Sequence, residues 1–77
     1  MSDYLKTIKN IIAERTGHEA DEITADSYFE DDLNVDEMEL VEILSELEEK
    51  YQIDLVEEKG NIATVGDLID ILLEKLE

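Results

Sequence analysis

The sequence predicts an all-α fold, a small antiparallel bundle of three main helices plus a short one. Three stretches carry apolar residues at helical spacing. Each stretch is preceded by residues that can cap a helix start. Proline, the strongest helix breaker, is absent from all 77 residues. Cysteine is absent too, so neither disulfides nor thiolate metal sites support the core. At this length a single core is marginally sufficient, burying about 60% of the unfolded surface. One domain over residues 1–77 is therefore expected.

The first helix is read from "SDYLKTIKNIIAERTG", where Leu5, Ile8, Ile11 and Ile12 form one apolar stripe. Ser2 or Asp3 can cap its start, Arg15 sits in the last turn, and Gly17 supplies the stop. Residues 18–35, "HEADEITADSYFEDDLNV", have no helical period. A connection this long in a small domain must pack down or carry function. Ile23, Tyr28, Phe29 and Leu33 are spaced to pin it, so an ordered loop with at most one helical turn is expected.

The second helix opens at Asp36. Asp36-Glu37-Met38-Glu39 resembles a capping box, in which Asp36 accepts early backbone N–H groups and Glu39 reaches back. Asp36, Glu37 and Glu39 also lie at the positive end of the helix dipole. Leu40, Ile43, Leu44, Leu47 and Tyr51 form the inward stripe. A connector follows, with Ile53, Leu55, Val56 and Ile62 available to the core and a short turn at "LVEEKG". The last helix starts at Thr64, where Thr64-Val65-Gly66-Asp67 is a second capping pattern. Val65, Leu68, Ile69, Leu72 and Leu76 give its core face, broadened by Ile71 and Leu73.

Charge narrows the function. The chain has 23 Asp and Glu against 6 Lys and Arg, a formal net charge of −17. That disfavours nucleic acid and anionic membrane as partners and favours basic protein surfaces. Between Arg15 and Lys50 there is no Lys or Arg, while that span holds 14 Asp and Glu. With no cation in the segment, its carboxylates are expected to repel one another. Such repulsion raises carboxylate pKa values, so stability should rise as pH falls from neutral. No apolar run approaches the roughly 18 residues of a membrane span, and the N-terminus is no secretion signal. A monomer in the cytoplasm is the expectation.

Catalytic and metal chemistry find little support. Asp32, Asn34 and Asp36 alternate like the start of a calcium loop, but Glu37 stands where glycine is needed and Ile43 where a bidentate Glu is needed. No specific metal site is expected. His18 is the only histidine, and no serine lies in a nucleophile motif. A domain this small also has little room for a water-excluding pocket. The chain is read as a non-enzyme with no catalytic residues. Met38 and Val41, at i and i+3 among the acids of the second helix, form an apolar patch with an acidic rim. Such a surface suits docking on a basic site.

The segments "ERTG", "TADSYFEDDLNVDEMELVEILSELEEKYQIDL" and "IATVGDLIDILLEKL" resemble the acyl carrier protein family over essentially the full length. The family opens its second helix with Asp-Leu-Gly-x-Asp-Ser-Leu, where this chain has "DLNVDEM". Asp36 and the apolar Met38 match, Asn34 replaces Gly, and Glu37 stands at the serine that bears phosphopantetheine. The resemblance implies acidic partner contacts at Asp36, Glu39, Glu42, Glu48 and Glu49, beside the apolar Met38 and Val41. It also implies that Phe29, Ile43, Leu47 and Leu55 line the interior that shelters an acyl chain in true carriers. Read from their spacing alone, these four are core.

A carboxylate cannot form the phosphodiester that a serine hydroxyl makes. Ser27 falls ten residues early, inside the long loop, Ser45 lies two turns into the second helix, and Ser2 is at the terminus. The expectation is an acidic helical domain of acyl-carrier type, without bound phosphopantetheine, that docks on basic surfaces such as those of acyl-metabolism enzymes. Two alternatives accompany it. One is a genuine acyl carrier of fatty-acid or related metabolism, with its serine replaced or attachment elsewhere. The other is an acidic decoy or chaperone for basic proteins.

Overall fold

A computed structural model describes residues 2–76, with side chains from Tyr4 to Leu76. Three helices account for most of it: α1 at Ser2–Thr16, α2 at Glu37–Tyr51 and α3 at Val65–Leu76. Two 3₁₀ turns lie in the connections, at Ala20–Glu22 and Val56–Asn61. The second of these is the short turn expected at "LVEEKG". There is no strand among the described residues, only one isolated antiparallel bridge between Tyr28 and Thr64. The capping expected of Ser2 and Asp3 lies outside the described side chains.

α1 ends as its sequence requires. Gly17 takes φ 84°, a left-handed conformation that costs glycine no steric penalty, and its N–H donates to the Ala13 carbonyl at 2.9 Å. α1 and α2 run antiparallel. Arg15, at the end of α1, reaches carboxylates of α2 from Glu39 in its first turn to Glu46. At the opposite end, Tyr4 meets Tyr51 edge to face, with ring centroids 5.7 Å apart.

The core is the set of apolar stripes folded inward. Ile8, Ile12, Ile43, Leu44, Leu47, Leu55, Val65, Leu68 and Leu72 are fully buried. Each such side chain stabilises the fold by roughly 1.5–3 kcal/mol relative to exposure. Leu5 is only half-buried, and the stripe of α1 continues through Tyr4 instead. Tyr51, Ile69, Ile71, Leu73 and Leu76 are half-buried at the margins.

The long loop is pinned by three of its four expected anchors. Ile23, Phe29 and Leu33 are buried, but Tyr28 is 51% exposed. The reason is backbone alternation. Tyr28 and Phe29 lie in an extended bridge with the chain before α3, and successive side chains there point to opposite sides. Phe29 takes the inner side, its N–H donating to the Ala63 carbonyl at 3.0 Å. Val35, not anticipated as an anchor, is also buried, and its N–H donates to Phe29 at 2.7 Å.

The first turn of α3 is clasped by the same loop. The N–H groups of Val65 and Gly66 donate to the carbonyls of Ser27 and Ala25, at 3.0 and 2.8 Å. A Cβ on Gly66 would stand 3.0 Å from the Ala25 oxygen, so the close approach depends on glycine. His18, half-buried, donates from Nε2 to the Leu33 carbonyl at 3.2 Å. It fastens loop to helix end.

Candidate functional site

The start of α2 is built by the loop that precedes it. Buried Leu33 and Val35 flank Asn34, which sits at φ 61°. Asn tolerates this left-handed region better than other residues with a side chain, which accounts for Asn where the resembling motif has Gly. Asp36 then caps the helix, its Oδ1 accepting the Glu39 N–H at 2.8 Å. The expected reciprocal half of the capping box is not formed. The Glu39 carboxylate instead turns to Arg15, 3.4 Å from its Nη1, because a charged donor outcompetes a neutral amide.

Arg15 takes more than one carboxylate. Nη1 also donates to Glu42 at 3.0 Å, and Nε donates to Glu46 at 3.0 Å. The hydrogen bond with Glu46 foremost raises the guanidinium above its usual pKa. Glu37, exposed at the first helical position, is ion-paired with Lys59 of the Val56–Asn61 turn. That hydrogen bond, then the ammonium charge, holds the Glu37 carboxyl below its usual range. The expected absence of cationic partners for the segment is thus corrected. Residues 16–49 lack Lys and Arg in sequence, but Arg15 and Lys59 enter from elements on either side.

Of the other residues expected to contact partners, Met38 is 75% exposed and Val41 is half-buried beside it. Glu49 is exposed and has no ion-pair partner among the described residues. Glu48 is turned to the protein itself. Its Oε2 accepts the N–H groups of Leu55 and Val56, at 2.6 and 2.9 Å, and these hold its pKa low. Asp67 is held low in the same way, first by the Ala63 N–H and then by that of Thr64. The carboxylates that shift therefore shift downward, opposite to the repulsion argument, because local donors outweigh more distant like charges.

Beside Glu37 lies a cleft of ≈ 440 Å³. Phe29, Val35, Leu40 and Ile62 are its buried apolar walls, and Glu37 and Lys59 stand exposed at the edge. Ile43, Leu47 and Leu55 do not line it and are fully buried in the core. The would-be calcium positions have other roles. Asp32 accepts the Tyr28 N–H at 2.8 Å, Asn34 makes the turn and Asp36 caps the helix. No His, Cys, Asp and Glu group among the described residues is arranged to hold a metal ion.

Hydroxyls are also placed by the fold. Glu37, Met38, Glu39 and Leu40 leave the first turn of α2 without one. Ser27 is buried in the loop, its Oγ accepting the Thr24 N–H at 3.0 Å, and Ser45 is exposed further along α2. Three residues at this surface, Arg15, Glu46 and Lys59, were not anticipated as part of the site. Nothing in their local sequence distinguishes them, since the pairings join positions 22 to 31 residues apart.

A helical domain with an acidic second helix and an apolar cleft at its start is of carrier type. The chain matches the family described as "Phosphopantetheine attachment site" over residues 6–72. It is 38% identical over 69 residues to an acyl carrier protein of Exiguobacterium sibiricum, covering 88% of this chain and 87% of that protein. It is 37% identical over 73 residues to an acyl carrier protein of another Exiguobacterium, covering 94% and 92%. The chain belongs to the acyl carrier, or phosphopantetheine-attachment, family. Covalent attachment of that group needs a nucleophilic hydroxyl. The residues at the start of α2 do not fit it. Among the described residues no helix is long and apolar enough to cross a membrane.

Proposed function

We propose that this chain is a docking member of the acyl carrier family that bears no phosphopantetheine at the start of α2. The observation that carries the reading is Glu37, a carboxylate ion-paired with Lys59 where the family resemblance puts the carrier serine. Without a hydroxyl there is no phosphodiester, no thiol and no thioester. What it retains is a binding surface: Met38 and Val41 among Asp36, Glu39, Glu42 and Glu49. Its partners are basic surfaces of acyl-metabolism enzymes, met by a non-catalytic monomer in the cytoplasm.

The relatives, both acyl carrier proteins, favour a second reading, a genuine acyl carrier with attachment at another residue. Intact-protein mass spectrometry separates the two. Incubated with coenzyme A and a phosphopantetheinyl transferase, the chain as it stands should gain no mass, and Glu37→Ser should gain one phosphopantetheine. An adduct on the unaltered chain, at Ser45 or elsewhere, would overturn the non-carrier reading. A Glu37→Ser variant that stays unmodified would show that the transferase's docking surface has been lost together with the serine.

A further inference from the structure

The acidic row on α2 is occupied by the protein itself. Glu39, Glu42 and Glu46 lie at i, i+3 and i+7, one face of the helix. All three converge on one guanidinium, that of Arg15. The arrangement suits a guanidinium and not an ammonium. Nη1 serves Glu39 and Glu42 while Nε serves Glu46, so donors on separate nitrogens are needed to span the row.

We propose that Arg15 is a competitor in cis for the docking row of α2, and that the partner bound there presents an arginine which displaces it. The inference rests on the docking reading above. It adds the chemistry of the partner residue and a built-in competitor that weakens binding at the row. Several features make the displacement feasible. The Arg15 side chain is 32% exposed and those of Glu42 and Glu46 are 57% and 40% exposed, so an incoming group can reach the cluster from solvent. Exposed ion pairs contribute little net stability, so releasing Arg15 costs the fold little. Arg15 is anchored in the last turn of α1, next to the Thr16–Gly17 stop, so its long side chain can swing out without moving a helix. Met38, 75% exposed one residue before Glu39, supplies the apolar neighbour that lets a partner gain from contact as well as from charge exchange.

In this arrangement the partner trades one guanidinium for another, so the row adds selectivity more than affinity. A surface carrying only lysine would not replace the two-nitrogen contact. A surface with arginine next to an apolar hollow for Met38 would.

The test uses the full chain and a synthetic amphipathic helical peptide with arginines and leucines along one face. Its affinity is measured by fluorescence anisotropy over a series of salt concentrations. Arg15→Gln should bind the peptide about 3- to 10-fold more tightly than the unaltered chain at low salt, the range expected for exposed charge pairs, with the gap closing as salt rises. Lys6→Gln is the control, because it changes net charge equally from the same helix. Lys6 lines a separate cleft beside Ala20 and Asp21. It should change affinity less than about twofold, as a distant screened charge does. Adding Glu46→Gln to Arg15→Gln should remove most of the gain. Peptide binding to the unaltered chain should also shift the Arg15 Nε–H resonance towards that of a free side chain.

Equal effects of Arg15→Gln and Lys6→Gln, or a loss of affinity in Arg15→Gln, would overturn the competition and leave the docking reading standing. Should no form of the chain bind the peptide saturably, the docking reading itself fails, and the competition with it. Arg15→Lys guards against a glutamine variant that does not fold. It keeps the charge but loses the fork, and should still tighten binding, by less than glutamine does. No tightening in the lysine variant would then count against the proposal.

Discussion

The two interior helix starts, at α2 and α3, are made from similar sequence and by different means. At α3 the side-chain capping is all local, although the loop at Ala25 and Ser27 also accepts two of its backbone N–H groups. Thr64 Oγ1 accepts the Asp67 N–H at 3.1 Å, and Asp67 accepts the N–H groups of Ala63 and Thr64 at 2.9 and 3.1 Å. At α2 only the first half is local, the Asp36 to Glu39 contact. Glu39 looks across to Arg15, 24 residues away, and Glu37 to Lys59, 22 away. A helix start that uses its side chains on itself is structural. One whose Glu37 and Glu39 carboxylates are held by ion pairs near the surface leaves those carboxylates open to exchange.

This contrast can be broken first at α3. Asp67→Ala removes the acceptor of two backbone N–H groups and should destabilise the fold by roughly 1–2 kcal/mol, read as a lower urea midpoint. Asp36→Ala removes one and should cost about half as much, roughly 0.5–1 kcal/mol, by the same measurement. Equal losses would mean that α2 is as locally determined as α3.

Acid titration sharpens the distinction between carboxylates bonded inward and those facing solvent. Glu37, Glu48 and Asp67 have folded pKa values below their unfolded ones. Their contribution is fully present above the ordinary carboxylate range, above about pH 5, and is lost as pH falls through the lowered folded values. Glu48→Gln should therefore lower the urea midpoint at pH 7, and the difference from the unaltered chain should shrink by pH 3.5. A constant difference across that window would show that Glu48 acts by shape and not by charge. The smallest effect is expected from Lys59→Gln. Its pair with Glu37 is exposed, so the midpoint should stay within measurement error at moderate salt. A clear drop would make the start of α2 a structural clamp.

Much of this was legible beforehand because helices advertise themselves locally. The inward stripe of α2, from Leu40 through Leu47, and the capping pair at Thr64 and Asp67 need only the helical repeat to be seen. Tyr28 was misjudged as an anchor because an isolated bridge gives no repeat to read. Nothing nearby in sequence shows that Thr64 sets which side Phe29 takes. The same limit hid Glu48, whose hydrogen bonds to Leu55 and Val56 exist only because the chain turns back after Gln52, at φ 59°.

Sequence alone determined the three helices, their order, the apolar faces that form the core and the lack of a hydroxyl in the first turn of α2. These follow from periodicity, capping chemistry and residue identity, all of which act within a few positions. Tertiary structure alone decided how the acidic surface is used. It brought Arg15 to Glu39, Glu42 and Glu46, and Lys59 to Glu37, and it opened the cleft between Phe29 and Ile62. Coulomb attraction and exclusion of water depend on distance in space. In this chain the groups that meet at the surface of α2 are separated by up to 31 residues of sequence.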